Sequence, residues 1–194
     1  MFNEKPETPP LSGPAINEKR IKVHDKYFIP YLSEQEIQGK IKELALLLNA
    51  DYAGKTPLFI AILNGAFMFS ADLFKSLTID AEICFIKLAS YKGTKSTGHV
   101  ITAIGLDADI NARHVIILED IIDTGKTMSQ FIPQIINQQP ASLKLAALLH
   151  KPEATVYNVK LDYNCFSIPD KFVVGYGLDY DGLGRNLHEI YQLQ

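Results

Sequence analysis

At 194 residues, with 47% hydrophobic and 21% charged residues, the chain has the size and balance of one globular domain with a real core. Its net charge of −3, from 19 basic and 22 acidic residues, provides no electrostatic footprint for nucleic acid. Cys84 and Cys165 lie far apart in apolar runs and read as reduced core residues, and the five histidines form no His-x-x-x-His pair, so a structural zinc site has no support. No stretch has the apolar core of a signal peptide or the length of a membrane span, which sets the expectation of a cytoplasmic protein without membrane or nucleic-acid partners.

Residues 1–20 carry Pro6, Pro9, Pro10, Pro14 and Gly13 among scattered charges and are expected to form a flexible tail. Residues 21–194 are expected to form a single domain. Ile21 to Pro30 reads as a short peripheral strand. Ser33 and Glu36 have the spacing of a capping box, and the helix that follows sets Ile37, Ile41, Leu44, Ala45 and Leu48 on one stripe. Leu58 to Leu63 is an uninterrupted apolar strand that ends at Asn64-Gly65, ahead of a helix from about Ala66 to Leu77. Ala81 to Ala89 is strand-like. Ser90 to Val100 is polar and by local sequence reads as a hairpin tip, after which Val100 to Leu106 returns as a strand.

The most informative stretch is Val115 to Met128. Val115 to Leu118 are apolar without alternation, as in a parallel strand covered on both faces. Glu119 and Asp120 follow where that strand is expected to end, and in open α/β sheets ligands bind outside the carboxyl ends of the strands. Asp123, Thr124, Gly125, Lys126 and Thr127 then open a helical pattern. Such a run presents backbone N–H groups and a helix N-terminus to an anion, and Gly125 permits close approach. Gly125-Lys126-Thr127 matches the end of a nucleotide-triphosphate P-loop, but the required earlier glycine is replaced by Asp120. Two carboxylates suit the paired hydroxyl donors of a ribose, and a phosphate in the loop beyond them makes a ribose 5-phosphate. A capped turn with solvated acids is the plain alternative for a lone Asp-Thr-Gly, and it accounts poorly for the whole constellation.

After this stretch Met128, Phe131, Ile132, Ile135 and Ile136 keep helical spacing, with a kink expected at Pro133. Leu143 to Leu149 is the next buried strand and ends at His150-Lys151-Pro152. Asp162 to Ile168 and Phe172 to Tyr176 are the last strands, expected with their neighbours in a small lobe over the crevice.

The run Leu118-Glu119-Asp120-Ile121-Ile122-Asp123-Thr124-Gly125-Lys126-Thr127 resembles the phosphoribosyl-pyrophosphate motif of the type I phosphoribosyltransferases, and of the hypoxanthine-guanine phosphoribosyltransferases in particular. Separate matches are Leu63 to Phe67, Ser90-Tyr91, Ser96-Thr97-Gly98, Ile168 to Tyr176 and Leu178-Asp179-Tyr180. The resemblance implies the type I phosphoribosyltransferase fold: an α/β domain with a largely parallel central sheet flanked by helices (about 34–150) and a small hood (about 21–33 and 151–194). It implies Mg2+-dependent transfer of a 5-phosphoribosyl group from phosphoribosyl pyrophosphate to N9 of a 6-oxopurine, releasing pyrophosphate, by a homodimer or homotetramer.

The same resemblance implies the site. Glu119 and Asp120 hold the ribose diol and, with Asp179, the magnesium. Asp123 acts on N7 of the base, and Thr124, Gly125, Lys126 and Thr127 hold the 5-phosphate. Asn64, Gly65 and Arg185 bind pyrophosphate, with a cis peptide between Leu63 and Asn64. Lys151, Phe172, Val173 and Ile121 bind the base, and Ser90 and Tyr91 belong to a lid. The sequence departs from the family at Asn64, where lysine is common, and at Leu183-Gly184, where aromatic residues are common. Rival readings are a phosphoribosyltransferase for xanthine, adenine or a pyrimidine, a phosphoribosyl-pyrophosphate-sensing regulator that binds RNA, and a P-loop phosphotransferase.

Overall fold

The computed structural model describes residues 20–90, 100–106 and 108–194. The expected tail, apart from its last residue, and the lid residue Tyr91 lie outside the described residues.

The described residues open with a hairpin, β1 (Ile21–Val23) and β2 (Lys26–Leu32), where one peripheral strand is expected. His24 takes a left-handed conformation at the turn between them. Helix α1 (Glu34–Asp51) then starts at Ser33. The Ser33 hydroxyl accepts from the Glu36 N–H and the Glu36 carboxylate accepts from the Ser33 N–H, completing the capping box. The expected stripe of Ile37, Ile41, Leu44, Ala45 and Leu48 is buried.

The remaining elements are β3 (Leu58–Leu63), α2 (Phe67–Ser76), β4 (Glu82–Ser90), β5 (Val100–Ile104), β6 (His114–Ile122), α3 (Lys126–Ile136), β7 (Ser142–His150), β8 (Tyr163–Ser167), β9 (Val173–Val174) and β10 (Ile190–Leu193). The main sheet has the order β5-β4-β3-β6-β7-β8. Five of its strands are parallel, and β5 returns antiparallel on the edge beside β4. This is the fold expected of the type I phosphoribosyltransferases.

The continuous apolar runs of the central strands divide between two cores. In β3, Phe59 and Ala61 face α1 and α2, whereas Leu58, Ile60 and Ile62 face the layer built on Met128, Phe131 and Ile135 of α3. In β6, Ile116 and Leu118 take the first side and Val115 and Ile117 the second. Both faces are covered, so neither admits polar alternation. Pro133 does not end α3: the Asn137 N–H still reaches the Pro133 carbonyl at 3.0 Å.

Tyr163–Ser167, expected in the small lobe, instead forms the outer strand of the main sheet, parallel to β7. Its buried Cys165 packs in the core shared with α1, which draws the strand down onto the main layer. That burial pushes the Cys165 thiol up to about 12, so it is protonated and unreactive in the folded protein. The smaller sheet is antiparallel, β1-β2-β10-β9, and joins residues from the two ends of the described chain.

Two features of the main sheet locate a crevice. The chain moves outward from β3 to β4 on one side and from β6 through β7 to β8 on the other, so the direction of winding reverses between β3 and β6. Pairing of β6 with β3 stops at Leu118, while pairing with β7 runs on to Ile122. The sheet therefore splits at Glu119. The two acids lie within β6 rather than beyond its end, because the ladder to β7 continues to hold them after the ladder to β3 is lost.

Candidate active site

Glu119 is 8% exposed, and its Oε2 is buried with no hydrogen-bond partner. Burial, with the Asp120 charge adding to it, pushes its carboxyl well above the usual range. Asp120 is half-buried, and burial raises its carboxyl to about 6. The Ile121 N–H, 2.9 Å from Oδ1, and the Arg185 charge oppose that shift, while Asp179 reinforces it. An unsatisfied carboxyl oxygen at a split sheet is poised to bind a hydroxyl donor or a cation.

These shifts make a stability prediction. A carboxyl whose folded pKa exceeds its unfolded value favours folding below the unfolded pKa, and that contribution disappears as pH rises through the folded value. For Asp120 the window runs from the ordinary 3.8 up to about 6. The ligand-free protein therefore loses thermal stability on this account as pH rises through the window. Asp120→Asn flattens the fall, read as melting temperature against pH; an equally steep fall in the variant assigns it to other groups.

Asn64 and Gly65 leave the carboxyl end of β3 beside these acids. The Leu63-Asn64 peptide is cis, as the resemblance implies. A Cβ at Gly65 would fall inside the Asp120 carboxyl group, and one at Gly177 would strike the Gly65 carbonyl. Two glycines thus let three segments meet: the β3 turn, the end of β6 and the loop after β9. Arg185 closes this corner. Its Nη1 donates to the Gly177 carbonyl at 2.7 Å and its Nη2 pairs with Asp179 Oδ1 at 2.6 Å. The other Asp179 oxygen accepts from the Gly182 N–H at 2.7 Å, and the departure at Leu183-Gly184 leaves the arginine paired.

Residues Glu119 to Met128 line a cavity of about 260 Å³. Gly125 has φ 80 and caps α3, and a Cβ there would lie 2.9 Å from the Tyr157 carbonyl oxygen. Thr124, Lys126 and Thr127 are exposed at the rim. The cradle is held from behind. The Val156 and Tyr157 N–H groups both donate to the Thr124 carbonyl at 3.0 Å, and the Thr155 hydroxyl contacts the Asp123 carbonyl at 2.9 Å. No local signal marked Thr155, which lies 32 residues from the loop it braces.

Lys151 extends from the end of β7 and is 6% exposed. Its ammonium stands 3.2 Å from Asp123 Oδ2 and 3.2 Å from Asp170 Oδ1. Asp170 was given no role by the sequence, although it sits in the matched run Ile168 to Tyr176. Phe172 is 44% exposed, which removes the plain reading of a core phenylalanine. Its ring meets Phe28 at 6.2 Å and Tyr180 at 5.8 Å between centroids, leaving a surface for a planar group. The Val173 side chain turns into the core within β9, and Ile121 packs against the same cluster. Ser90 ends β4.

The constellation is therefore a glycine turn at the start of α3, a buried Glu119 beside a half-buried Asp120, an arginine corner, a nearly buried lysine between two carboxylates and an exposed aromatic ring. A family model described as the phosphoribosyl transferase domain matches residues 31–181. A hypoxanthine-guanine phosphoribosyltransferase of Streptococcus pneumoniae is 43% identical over 157 residues, covering 80% of this chain and 87% of that protein. This chain belongs to the hypoxanthine-guanine phosphoribosyltransferase family. Among solved structures, a hypoxanthine-guanine phosphoribosyltransferase from Bacillus anthracis superposes with a TM-score of 0.80 at 38% identity, covering 85% of this chain and 98% of that one. A hypoxanthine phosphoribosyltransferase from Staphylococcus aureus gives 0.81 at 39% identity, covering 85% and 90%. Among the described residues no helix is long and apolar enough to cross a membrane.

Proposed function

We propose that this phosphoribosyltransferase serves purine salvage, transferring the 5-phosphoribosyl group of phosphoribosyl pyrophosphate to N9 of hypoxanthine and guanine with release of pyrophosphate. The observation that carries the reading is the nearly buried Lys151 ammonium, 3.2 Å from Asp123 Oδ2 and 3.2 Å from Asp170 Oδ1, with the exposed Phe172 two residues beyond Asp170. A planar base lying on Phe172 then meets an ammonium donor for its 6-oxo group and a carboxylate for its ring nitrogen.

In this reading Glu119 and Asp120 accept from the ribose 2- and 3-hydroxyls. Thr124, Gly125, Lys126 and Thr127 hold the 5-phosphate, which places the anomeric carbon between the acids and the base slot. Asn64, Gly65 and Arg185 hold pyrophosphate. As the C1–O bond to pyrophosphate breaks and the N9–C1 bond forms, Asp123 takes the proton that the base must lose, at N7. The Val173 backbone and the Ile121 side chain border the base, and Ser90 and Tyr91 belong to a loop that keeps water from the oxocarbenium-like centre. The carboxyl oxygens here, the unpartnered Glu119 Oε2 among them, suit Mg2+, which Glu119, Asp120 and Asp179 would hold. When bound, the ion would supply charge neutralisation for the pyrophosphate leaving group.

We assign residues 34–150 to the catalytic core and 21–33 with 151–194 chiefly to the hood, and the working form to a cytoplasmic homodimer or homotetramer. The test is a product assay with magnesium and phosphoribosyl pyrophosphate against hypoxanthine, guanine, xanthine, adenine and uracil. Turnover of hypoxanthine, with or without guanine, is the expected result. Turnover of adenine or uracil alone overturns the base assignment. Binding of phosphoribosyl pyrophosphate without turnover of any base makes the protein a regulator.

A further inference from the structure

We propose that Asp170 is a positioning residue for base recognition: it holds the Lys151 ammonium away from full collapse onto Asp123 and directed at the 6-oxo group of the purine. The inference rests on the phosphoribosyl-transfer reading above. Lys151 is a nearly buried cation held at equal 3.2 Å distances between two carboxylates, Asp123 Oδ2 and Asp170 Oδ1. An ammonium has three protons in tetrahedral array. With two directed at the acids, the third is left for a neutral acceptor such as a purine carbonyl.

The position of Asp170 is set by the fold and not by chance side-chain contact. β8 runs in register with β7, His150 opposite Ser167, and the Ile168 N–H donates to the His150 carbonyl at 2.8 Å. The loop after β8 is therefore pinned to the residue immediately before Lys151. Pro169 restricts the chain at the next step, and the Lys171 N–H closes a tight turn onto the Pro169 carbonyl at 2.8 Å, with Asp170 at its apex. Asp170 itself is 63% exposed at the side chain, so it contributes nothing to the core.

Removing its charge unbalances the pair. Asp123 becomes the one anionic partner of Lys151 among the described residues, and a poorly solvated ammonium closes onto it. Two things follow. The donor leaves the 6-oxo direction, and the Asp123 oxygen meant for the base proton is occupied.

Asp170→Asn keeps the shape and removes the charge. The expected result is a rise of about tenfold in KM for hypoxanthine, the size of one lost charge-assisted hydrogen bond, with KM for phosphoribosyl pyrophosphate unchanged. Asp170→Glu recovers part of the loss. Competitive inhibition by unsubstituted purine, which lacks the 6-oxo group, weakens by less than the rise in KM for hypoxanthine. In a Lys151→Met background, Asp170→Asn changes KM for hypoxanthine by less than about twofold, because no ammonium remains to be held. An unchanged hypoxanthine KM in Asp170→Asn overturns the inference, as does an equal weakening of purine or a full multiplicative effect in the Lys151→Met background. Failure of the underlying reading looks different: wild type itself then gives no product from hypoxanthine.

Discussion

Asp123→Asn is expected to turn over hypoxanthine on the order of 100- to 10,000-fold more slowly than wild type, the span of one general acid–base group. Its affinity for the nucleoside monophosphate product changes by less than about tenfold. The asymmetry follows from what asparagine keeps. The amide oxygen still accepts a hydrogen bond from Lys151, now 3.2 Å away, and the backbone carbonyl still contacts the Thr155 hydroxyl, so loop and cradle keep their shape. What is lost is the ability to take a proton from the base during bond formation, which an amide cannot do. Steady-state kcat and an equilibrium Kd for the product, on the same preparation, separate the two. Equal losses in both place Asp123 in binding and leave the proton without an acceptor.

Gly65→Ala is expected to raise KM for phosphoribosyl pyrophosphate by about 10- to 100-fold, with a smaller effect on KM for the base. The new methyl group falls on the Asp120 carboxyl, which must rotate away and give up its bond from the Ile121 N–H. A hydrogen bond to a charged group is worth about 1.5–3 kcal/mol, and that range sets the fold-change. The turn cannot retreat from the acid, because the Gly65 carbonyl is already packed against Gly177. Asp120→Ala in the same background makes room for the methyl group, so the two losses combine to less than their product. Independent, multiplicative losses locate the Gly65 effect away from Asp120.

Several local features were legible in the residues alone because they depend on neighbours in sequence. The capping box needs only Ser33 and Glu36, three residues apart, and the α1 stripe needs only helical spacing. The cavity lining is ten consecutive residues, Glu119 to Met128, so one local stretch carries its backbone N–H groups, its glycine and its acids. The resemblance of that stretch, with the separate matches at Leu63 to Phe67 and Ile168 to Tyr176, sufficed for the family and the fold class.

Pairings between distant strands decided the rest. The residues of β8 have the same apolar content wherever they pack, and only the ladder to β7 puts Tyr163–Ser167 in the main sheet. The end of β6 is hidden from local sequence for a related reason. Acids within a strand look like its terminus unless one ladder is known to stop at Leu118 while the other runs to Ile122. The Asp123–Lys151–Asp170 group joins residues 28 and 19 positions apart, and its equal distances come from the register of three strands. Sequence by itself determined which chemical groups this protein has and which local turns present them. The tertiary structure decided which charges share a site, because Coulomb and hydrogen-bond energies depend on ångström separations that only the sheet register sets.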